Sequence, residues 1–175
     1  SIEQGGTSYT PNRGIQPLRE AVSRWLSGHY GIDYNPDTEM VVTTGVSEGL
    51  DIAIRAVTDP GDELIVAEPS YVSYAPCVTL AGGTPIPVEC LEKDHFKLRA
   101  DRLMEAVSPK TKAVIINFPN NPTGAVMRQE DLKAVADVVI DHDLLLISDE
   151  VYSELTYSGT HTSAAAVEGL QERTI

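Results

Sequence analysis

Short apolar runs alternate along this chain with segments in which apolar residues recur at helical spacing. This alternation is typical of a mostly parallel sheet whose two faces are covered by helices. The sequence therefore predicts an α/β fold of the three-layer αβα type, with no repeat and no interdomain linker. The predicted strands lie at 40–43, 63–67, 84–88, 113–116 and 144–147, and the predicted helices at 17–30, 46–57, 71–80, 101–107 and 129–141.

Two polar clusters follow two of the predicted strands. The run 113–116 leads into Asn117-Phe-Pro-Asn-Asn-Pro-Thr-Gly124, and the run 144–147 leads into Asp149-Glu-Val-Tyr152. In open α/β sheets, ligands bind at the carboxyl ends of the strands. We therefore expect the amide of Asn121, the carboxylate of Asp149 and the phenol of Tyr152 to serve one ligand.

Composition excludes several other functions. The chain has 26 acidic and 13 basic residues and a net charge of −13, which opposes binding to nucleic acid. It contains no apolar run of about 18 residues and no signal-peptide pattern, so we predict a cytoplasmic protein without membrane contact. Cys77 and Cys90 form no metal or redox motif and are expected to be packing residues. The four histidines, which are expected at the surface or in linkers without a metal, are His29, His95, His142 and His161.

The spacing between the two clusters adds a more specific signal. Asn121 precedes Asp149 by 28 residues, and this combination resembles the class I and II aminotransferases, which are pyridoxal 5'-phosphate (PLP) enzymes of fold type I. The match is nearest to the bacterial and archaeal aspartate aminotransferase branch. It extends from Tyr9-Thr-Pro-Asn-Arg-Gly14 to Arg173-Thr-Ile175, so residues 1–175 resemble a part of the large PLP-binding domain.

The resemblance implies a role for each side chain of the two clusters. Asp149 corresponds to the carboxylate that keeps the pyridine nitrogen protonated, because a nearby negative charge favours the cationic form. Asn121 and Tyr152 correspond to the two donors to the ring 3-oxygen. The alternatives from the residues alone are a cap after a buried strand for Asp149, a turn former for Asn121 and a half-buried aromatic residue for Tyr152.

The cofactor's phosphate and ring also have expected partners. Gly45, Val46 and Ser47 lie between a predicted strand and a predicted helix, where main-chain amides and the helix dipole favour an anion. They resemble the family's phosphate loop. Tyr71 matches the aromatic residue that stacks on the ring, although Tyr74, three residues later, is an alternative.

Tyr9 resembles the residue that reaches the phosphate of the neighbouring subunit's cofactor, and this role implies a homodimer. The alternative is a tyrosine that packs near a chain end. The substrates implied by the family are an amino acid and a 2-oxo acid.

The lysine that holds the cofactor as a Schiff base in the family has no match here. The last lysine is Lys133, and residues 172–175 resemble the opening of the strand that leads to the family's lysine. We therefore expect that lysine beyond Ile175, no catalytic residue within 1–175, and no transaminase activity from these residues alone. An edge strand left unpaired is expected to favour association between copies.

Three other functions are alternatives to aminotransfer. PLP lyases and synthases of the same fold are the first, because the reaction that follows cofactor binding depends on residues outside this region. A non-catalytic, aminotransferase-like regulatory module is a second alternative. A nucleotide-binding domain is disfavoured, because the chain has neither G-x-G-x-x-G after its first strand nor G-x-x-x-x-G-K-[ST].

Overall fold

The computed structural model describes Glu3, Gly5, Gly6 and residues 9–175. The chain divides into two compact units, Ser1–Gly45 and Val46–Ile175. The second unit contains the sheet and most of the predicted site residues.

The first unit is organised around helix α1, Gln16–Tyr30. Pro17 occupies its first turn, where a missing N–H costs nothing, and Gly31 ends it in a left-handed conformation with φ of 68°. Arg19, 3% exposed, donates to the carbonyl oxygens of Gly14 and Pro36 and pairs with the Asp37 carboxylate. This buried guanidinium therefore holds the segments before and after α1 together.

The prediction of a strand at 40–43 is wrong. These residues have no regular secondary structure, and Val41 and Val42 are 61% and 38% exposed. The Val42 N–H donates to the Arg13 carbonyl oxygen at 3.0 Å, which is an ordinary hydrogen-bond distance. An apolar run becomes a strand only where a neighbouring strand supplies a ladder, and in the described part of this unit there is none.

The second unit is a parallel sheet of four strands with helices between them. The strands are β1 (Glu63–Glu68), β2 (Thr84–Glu89), β3 (Thr111–Asn117) and β4 (Leu145–Asp149). The helices are α2 (Val46–Val57), α3 (Tyr74–Leu80), α4 (Ala100–Ala106) and α5 (Gln129–Asp141). Each was predicted from the sequence, and the mostly parallel α/β fold is confirmed.

Helix α3 begins three residues later than predicted. The prediction started the helix at Tyr71, whereas the observed helix starts at Tyr74. The segment between them is a turn in which the Tyr74 N–H donates to the Tyr71 carbonyl oxygen at 3.2 Å. Tyr71 is thus left outside the helix, in the loop that follows β1.

The sheet order is β2-β1-β3-β4, with every neighbouring pair parallel. The connections run from β1 outward to β2 and then back past β1 to β3, so the winding reverses between β1 and β3. In such sheets the crevice at the carboxyl ends of the strands flanking this reversal is the usual ligand site. The loops after β1 and β3 are therefore where a ligand site is expected.

Alternating residues of the strands build a core on each face of the sheet. Leu64, Val66 and Ile115 pack with Leu50 and Ile54 of α2 and with α3. The opposite face, formed by strand residues that include Ile65, Val114 and Leu146, packs with Leu103 of α4 and Val135 of α5. Helices therefore cover both faces, which is the predicted three-layer arrangement.

The two edges of the sheet differ. Edge strand β2 contains Pro85 and Pro87, which cannot donate ladder hydrogen bonds. Along β4, the Ile175 N–H donates to Leu146 O and the Ser148 N–H donates to Ile175 O, both at 2.9 Å, beside a parallel bridge between Leu146 and Thr174. The residues predicted to open a further strand thus pair with β4.

Candidate functional site

Asn117, the last residue of β3, connects the two polar clusters. Its Nδ2 donates to the main-chain oxygen of Asp149 at 2.9 Å, and its Oδ1 accepts from the Asn121 N–H at 2.8 Å. The side chain is 2% exposed, so both bonds are shielded from water. One buried amide therefore fixes the end of β4 and the turn after β3 relative to each other.

Asn120 fixes the same turn to β1. Its Nδ2 donates to the Pro69 carbonyl oxygen at 3.1 Å, and its Oδ1 accepts from the N–H and the Oγ1 of Thr123 at 3.1 and 2.7 Å. Gly124 closes the turn with φ of 71°, a conformation that favours glycine. The loop after β3 is thereby bound to the loop after β1, across the reversal in the winding of the sheet.

Asp149, at the carboxyl end of β4, is a buried carboxylate. It is 8% exposed; its Oδ2 accepts from the Tyr74 hydroxyl at 2.7 Å and its Oδ1 from the Val151 N–H at 3.2 Å. Among the described residues, no Lys, Arg or His side chain forms an ion pair with it. Burial of a carboxylate without a cationic partner costs free energy. A ligand that places a cationic group against Asp149 would offset this cost.

Tyr74 and Tyr71 have different environments. Tyr74 is 1% exposed, and burial together with its hydrogen bond to Asp149 raises the pKa of its phenol. Tyr71 is half-buried and contacts Tyr74 edge to face, with ring centroids 5.7 Å apart. Hydrogen bonds with the side chains of Ser73 and Ser47 lower the Tyr71 pKa. Of the two rings considered for stacking, Tyr71 is the one with surface left for a ligand.

The predicted phosphate loop crosses from one unit to the other along the chain. Gly45 is the last residue of the first unit, with φ of 84°, and its carbonyl oxygen accepts from Thr43 Oγ1 at 2.9 Å. Val46 and Ser47 are the first two residues of α2, so their N–H groups belong to the helix terminus that has no carbonyl partner within the helix. Ser47 lies beside Tyr71, which brings the start of α2 to the loop after β1.

Asn121 and Tyr152 line a pocket of about 500 Å³ at this edge of the sheet. Its walls are the turn after β3 and the segment after β4, and the lining residues are Pro119, Asn120, Asn121, Pro122, Gly124, Val126, Tyr152, Leu155, Thr156, Tyr157 and Ser158. Asp149, Tyr71 and Ser47 lie outside this lining. The second unit thus contains six of the predicted site residues, and two of them, Asn121 and Tyr152, line the pocket.

Tyr9 belongs to the first unit and contacts none of the other predicted site residues within it. Its side chain is fully exposed, which leaves its hydroxyl available to another molecule.

The buried partners of the site were not predicted. Tyr74 is an alternative stacking ring in the sequence but donates to Asp149 in the structure, and no role was predicted for the Asn117 side chain. His161 lies in a connecting segment, one of the two places expected for it, but its side chain is only 9% exposed and its Nε2 lies 2.7 Å from Glu150 Oε2. The position of Tyr74 after β1 does not reveal from a single sequence whether its ring stacks on a ligand or its hydroxyl donates to Asp149.

Two other kinds of feature are absent from the part of the chain that the structure describes. There, no three His, Cys, Asp or Glu side chains are grouped to hold a metal ion. No helix in the same residues has the length and apolar character required to span a bilayer.

Comparison with known proteins agrees with this arrangement. A putative aminotransferase of Bacillus subtilis is 47% identical over 175 residues, which are 100% of this chain and 45% of the relative. An aspartate aminotransferase of Pyrococcus abyssi is 42% identical over 176 residues, with the same coverage. The crystal structure of an aromatic aminotransferase from Pyrococcus horikoshii superposes with a TM-score of 0.96 at 44% identity, over 99% of this chain and 47% of that one.

The chain therefore spans about half the length of the relatives that it matches. The family described as aminotransferase class I and II matches residues 1–174. With that match over nearly all of its residues, the chain belongs to the class I and II aminotransferase family.

Proposed function

We propose that these residues form the PLP-binding part of an enzyme that transfers an amino group between an amino acid and a 2-oxo acid. The observation that carries the proposal is the Asp149 carboxylate, buried at the carboxyl edge of the sheet and without an ion pair in the described residues. Family membership and the names of the relatives support the same activity.

The residues at the edge of the sheet fit this cofactor. When bound, PLP supplies an electron sink for the bonds at the amino acid's α-carbon. Asp149, oriented by Tyr74 and by the Val151 N–H, holds a proton on the ring nitrogen by its negative charge. Its burial keeps water from competing for that contact.

Six further residues complete the proposed binding site. Asn121 and Tyr152, which line one pocket, donate to the ring oxygen, and Tyr71 presents the face of its ring. The N–H groups at the start of α2, at Val46 and Ser47, bind the phosphate together with the loop residue Gly45, because free amides and the helix dipole both favour an anion. These groups bind and orient the cofactor; they do not carry the chemical steps.

None of the five lysines in the chain, Lys93, Lys97, Lys110, Lys112 and Lys133, occupies the family's cofactor-linking position after β4. We propose that this lysine follows Ile175 in the complete protein and that residues 1–175 are an inactive part of its large domain. Borohydride reduction of PLP on residues 1–175 should then label no single lysine. In the complete protein it should label one lysine past Ile175, and stoichiometric labelling of one of these five would contradict the assignment.

We also propose that the complete protein is a cytoplasmic homodimer in which Tyr9 contacts the cofactor phosphate of the partner subunit. The full exposure of Tyr9 supports this role. Two hybrid dimers test this role, each with one intact and one disabled cofactor site. PLP binding should weaken when Tyr9→Phe is on the subunit with the disabled site, and should stay unchanged when it is on the subunit with the intact site. Equal binding in the two hybrids would contradict the role of Tyr9.

A titration tests the cofactor site. PLP added to the protein should change its absorbance on binding, and Asp149→Asn should weaken that binding by about 10- to 100-fold, since a hydrogen bond to a charged group contributes about 1.5–3 kcal/mol. Asp149→Asn keeps the acceptor for Tyr74 and loses the charge. Asp137→Asn, an exposed position on α5, is the matched control.

The reaction itself is tested with the complete protein. Aspartate and an aromatic amino acid, which reflect the names of the relatives, should each be offered with 2-oxoglutarate, and transfer of the amino group to the oxo acid should be followed. PLP binding without transfer from any amino acid would overturn the proposed reaction while leaving the proposed cofactor site intact.

A further inference from the structure

The Glu150 carboxylate is bound through both of its oxygens. Oε1 accepts from Ser148 Oγ at 2.9 Å, from Ser163 Oγ at 3.1 Å and from the Ala164 N–H at 2.9 Å. Oε2 lies 2.7 Å from His161 Nε2. One side chain, 20% exposed, therefore joins the end of β4 to the segment at 161–164.

These bonds close a loop that forms a wall of the pocket. The residues between Glu150 and His161 include Tyr152, Leu155, Thr156, Tyr157 and Ser158, all of which line it. Closing a loop of this length costs conformational entropy that must be offset by contacts at its ends. The contacts of Glu150 with Ser163, Ala164 and His161 lie at those ends.

The loop has little packing of its own. No residue from 151 to 160 is buried, and Leu155 and Tyr157 are 52% and 92% exposed. Its internal bonds are short-range, such as that from the Leu155 N–H to Tyr152 O at 2.8 Å. By contrast, Ser163 and Ala164, at the base of the loop, are 5% and 1% exposed. The Glu150 contacts thus attach a thinly packed loop to a buried base.

We propose that Glu150 is a positioning residue that holds the 151–160 loop closed and so sets the placement of Tyr152 at the proposed cofactor site. The positioning of the loop stands on the described contacts, whereas its effect on PLP rests on the proposed function. Glu150 acts through Tyr152 and does not contact the ligand.

Hydrogen exchange of the ligand-free protein tests the closure. In Glu150→Ala, amides of the 151–160 loop should exchange at least about tenfold faster, because the loop loses its anchoring bonds, while α5 and β1 keep their protection. Glu150→Gln retains an acceptor oxygen for the three donors and should remain near the parent protein. Glu154→Ala, an exposed carboxylate on the same loop, is the matched control. Unchanged exchange in a folded Glu150→Ala protein would overturn the proposal.

If Glu150→Ala does not fold, Ser163→Ala removes a single donor to the same carboxylate. It should raise loop exchange by a smaller factor, about threefold, and no change in this variant would also overturn the proposal.

A double-mutant cycle tests the effect on PLP. Glu150→Ala and Tyr152→Phe should each weaken PLP binding by about five- to tenfold, and the double variant should lose little more than Tyr152→Phe alone, because both changes act on one contact. Fully multiplicative losses would overturn the positioning of Tyr152. If the parent protein binds no PLP, the proposed function fails, and the exchange experiment still decides whether Glu150 closes the loop.

Discussion

At the residue scale, the hydrogen bond from the Tyr74 hydroxyl to Asp149 Oδ2 links two buried groups that are 75 positions apart in the chain. Tyr74 begins α3, and Asp149 ends β4. A buried acceptor that loses its donor costs more than the bond itself contributes, because the group no longer has water as a substitute. Tyr74 thus stabilises the fold and fixes the direction of the carboxylate.

Replacement of the hydroxyl makes this cost measurable. Tyr74→Phe should lower the free energy of unfolding by about 1–3 kcal/mol, since it leaves a buried carboxylate oxygen without this donor. Urea denaturation at neutral pH measures the change. Tyr157→Phe, at a side chain that is 92% exposed, should change the same quantity by less than about 0.5 kcal/mol. Equal effects of the two substitutions would contradict the buried role of Tyr74.

The raised pKa of the Tyr74 phenol leads us to expect a loss of stability at alkaline pH. Burial and the hydrogen bond to Asp149 raise the pKa of Tyr74 above its ordinary value of 10.0. A group whose pKa is raised by folding contributes its stability fully below the unfolded pKa and loses it as the pH rises toward the folded pKa. Above about pH 10, the stability difference between the parent and Tyr74→Phe should shrink by about 1.4 kcal/mol per pH unit. A difference that stays constant from about pH 9 to 11 would contradict the shift.

At the element scale, helix α5 depends on an acidic side chain in its first turn. Asp131 Oδ2 accepts from the Arg128 N–H at 2.9 Å, just before the helix, and from Lys97 Nζ at 2.5 Å. The first contact satisfies an N–H at the helix start, and the second attaches the helix to the segment before α4. Helix α5 packs on one face of the sheet together with α4, so the order of its first turn bears on the packing of that face.

Asp131→Ala should therefore lower the free energy of unfolding by about 1–2 kcal/mol, the usual cost of losing a helix cap together with an ion pair. Glu130→Ala, its exposed neighbour in the same turn, removes the same charge without these bonds. The two variants are compared by urea denaturation. A loss from Glu130→Ala as large as that from Asp131→Ala would show that charge near the helix start, not bonding, is responsible.

Edge strand β2 offers a second test at this scale. Pro85 and Pro87 are separated by one residue, so both occupy the same ladder side, and the N–H groups bonded to β1 come from the alternate positions. The free edge is thereby without donors at both proline positions, which limits pairing with another sheet.

The double variant Pro85→Val/Pro87→Val restores two N–H groups to that edge. It should shift the protein toward larger species in sedimentation velocity as its concentration rises, because the edge can then pair with another copy. Pro109→Val, in the exposed turn before β3, is the control for the loss of a proline. If the double variant and the control sediment alike, the prolines do not protect this edge.

The elements that could be predicted from the sequence are those that depend on residues close together in the chain. The runs 113–116 of β3 and 145–147 of β4 are apolar because both faces of the sheet are covered, so the sequence predicted these strands and the polar residues at their ends. The run at 40–43 has similar composition but lacks a partner strand, which composition alone does not reveal. The contacts of Tyr74 with Asp149 and of Glu150 with His161 depend on tertiary packing, and no single-sequence pattern distinguishes them from surface tyrosines and histidines.

At the scale of the whole molecule, charge is the property that sets the response to solvent. The chain carries a net charge of −13, with 26 acidic against 13 basic residues. Five ion pairs of Arg or Lys with carboxylates are present among the described residues. Exposed pairs contribute about 0–1 kcal/mol each, and these five pairs use only five of the 26 acidic residues. Repulsion between acids should therefore outweigh attraction within the pairs.

This balance predicts that salt stabilises the fold. Raising NaCl from about 0.05 to 0.5 M shortens the screening length from more than 10 Å to less than 5 Å, which weakens the repulsion in the compact state more than in the expanded one. The free energy of unfolding in urea at neutral pH should rise, and urea is required because guanidinium is itself a salt. Near pH 4.6, the isoelectric point, the net charge vanishes and the gain should disappear. A decrease with salt at neutral pH would mean that the ion pairs, such as Lys97 with Asp131, outweigh the repulsion.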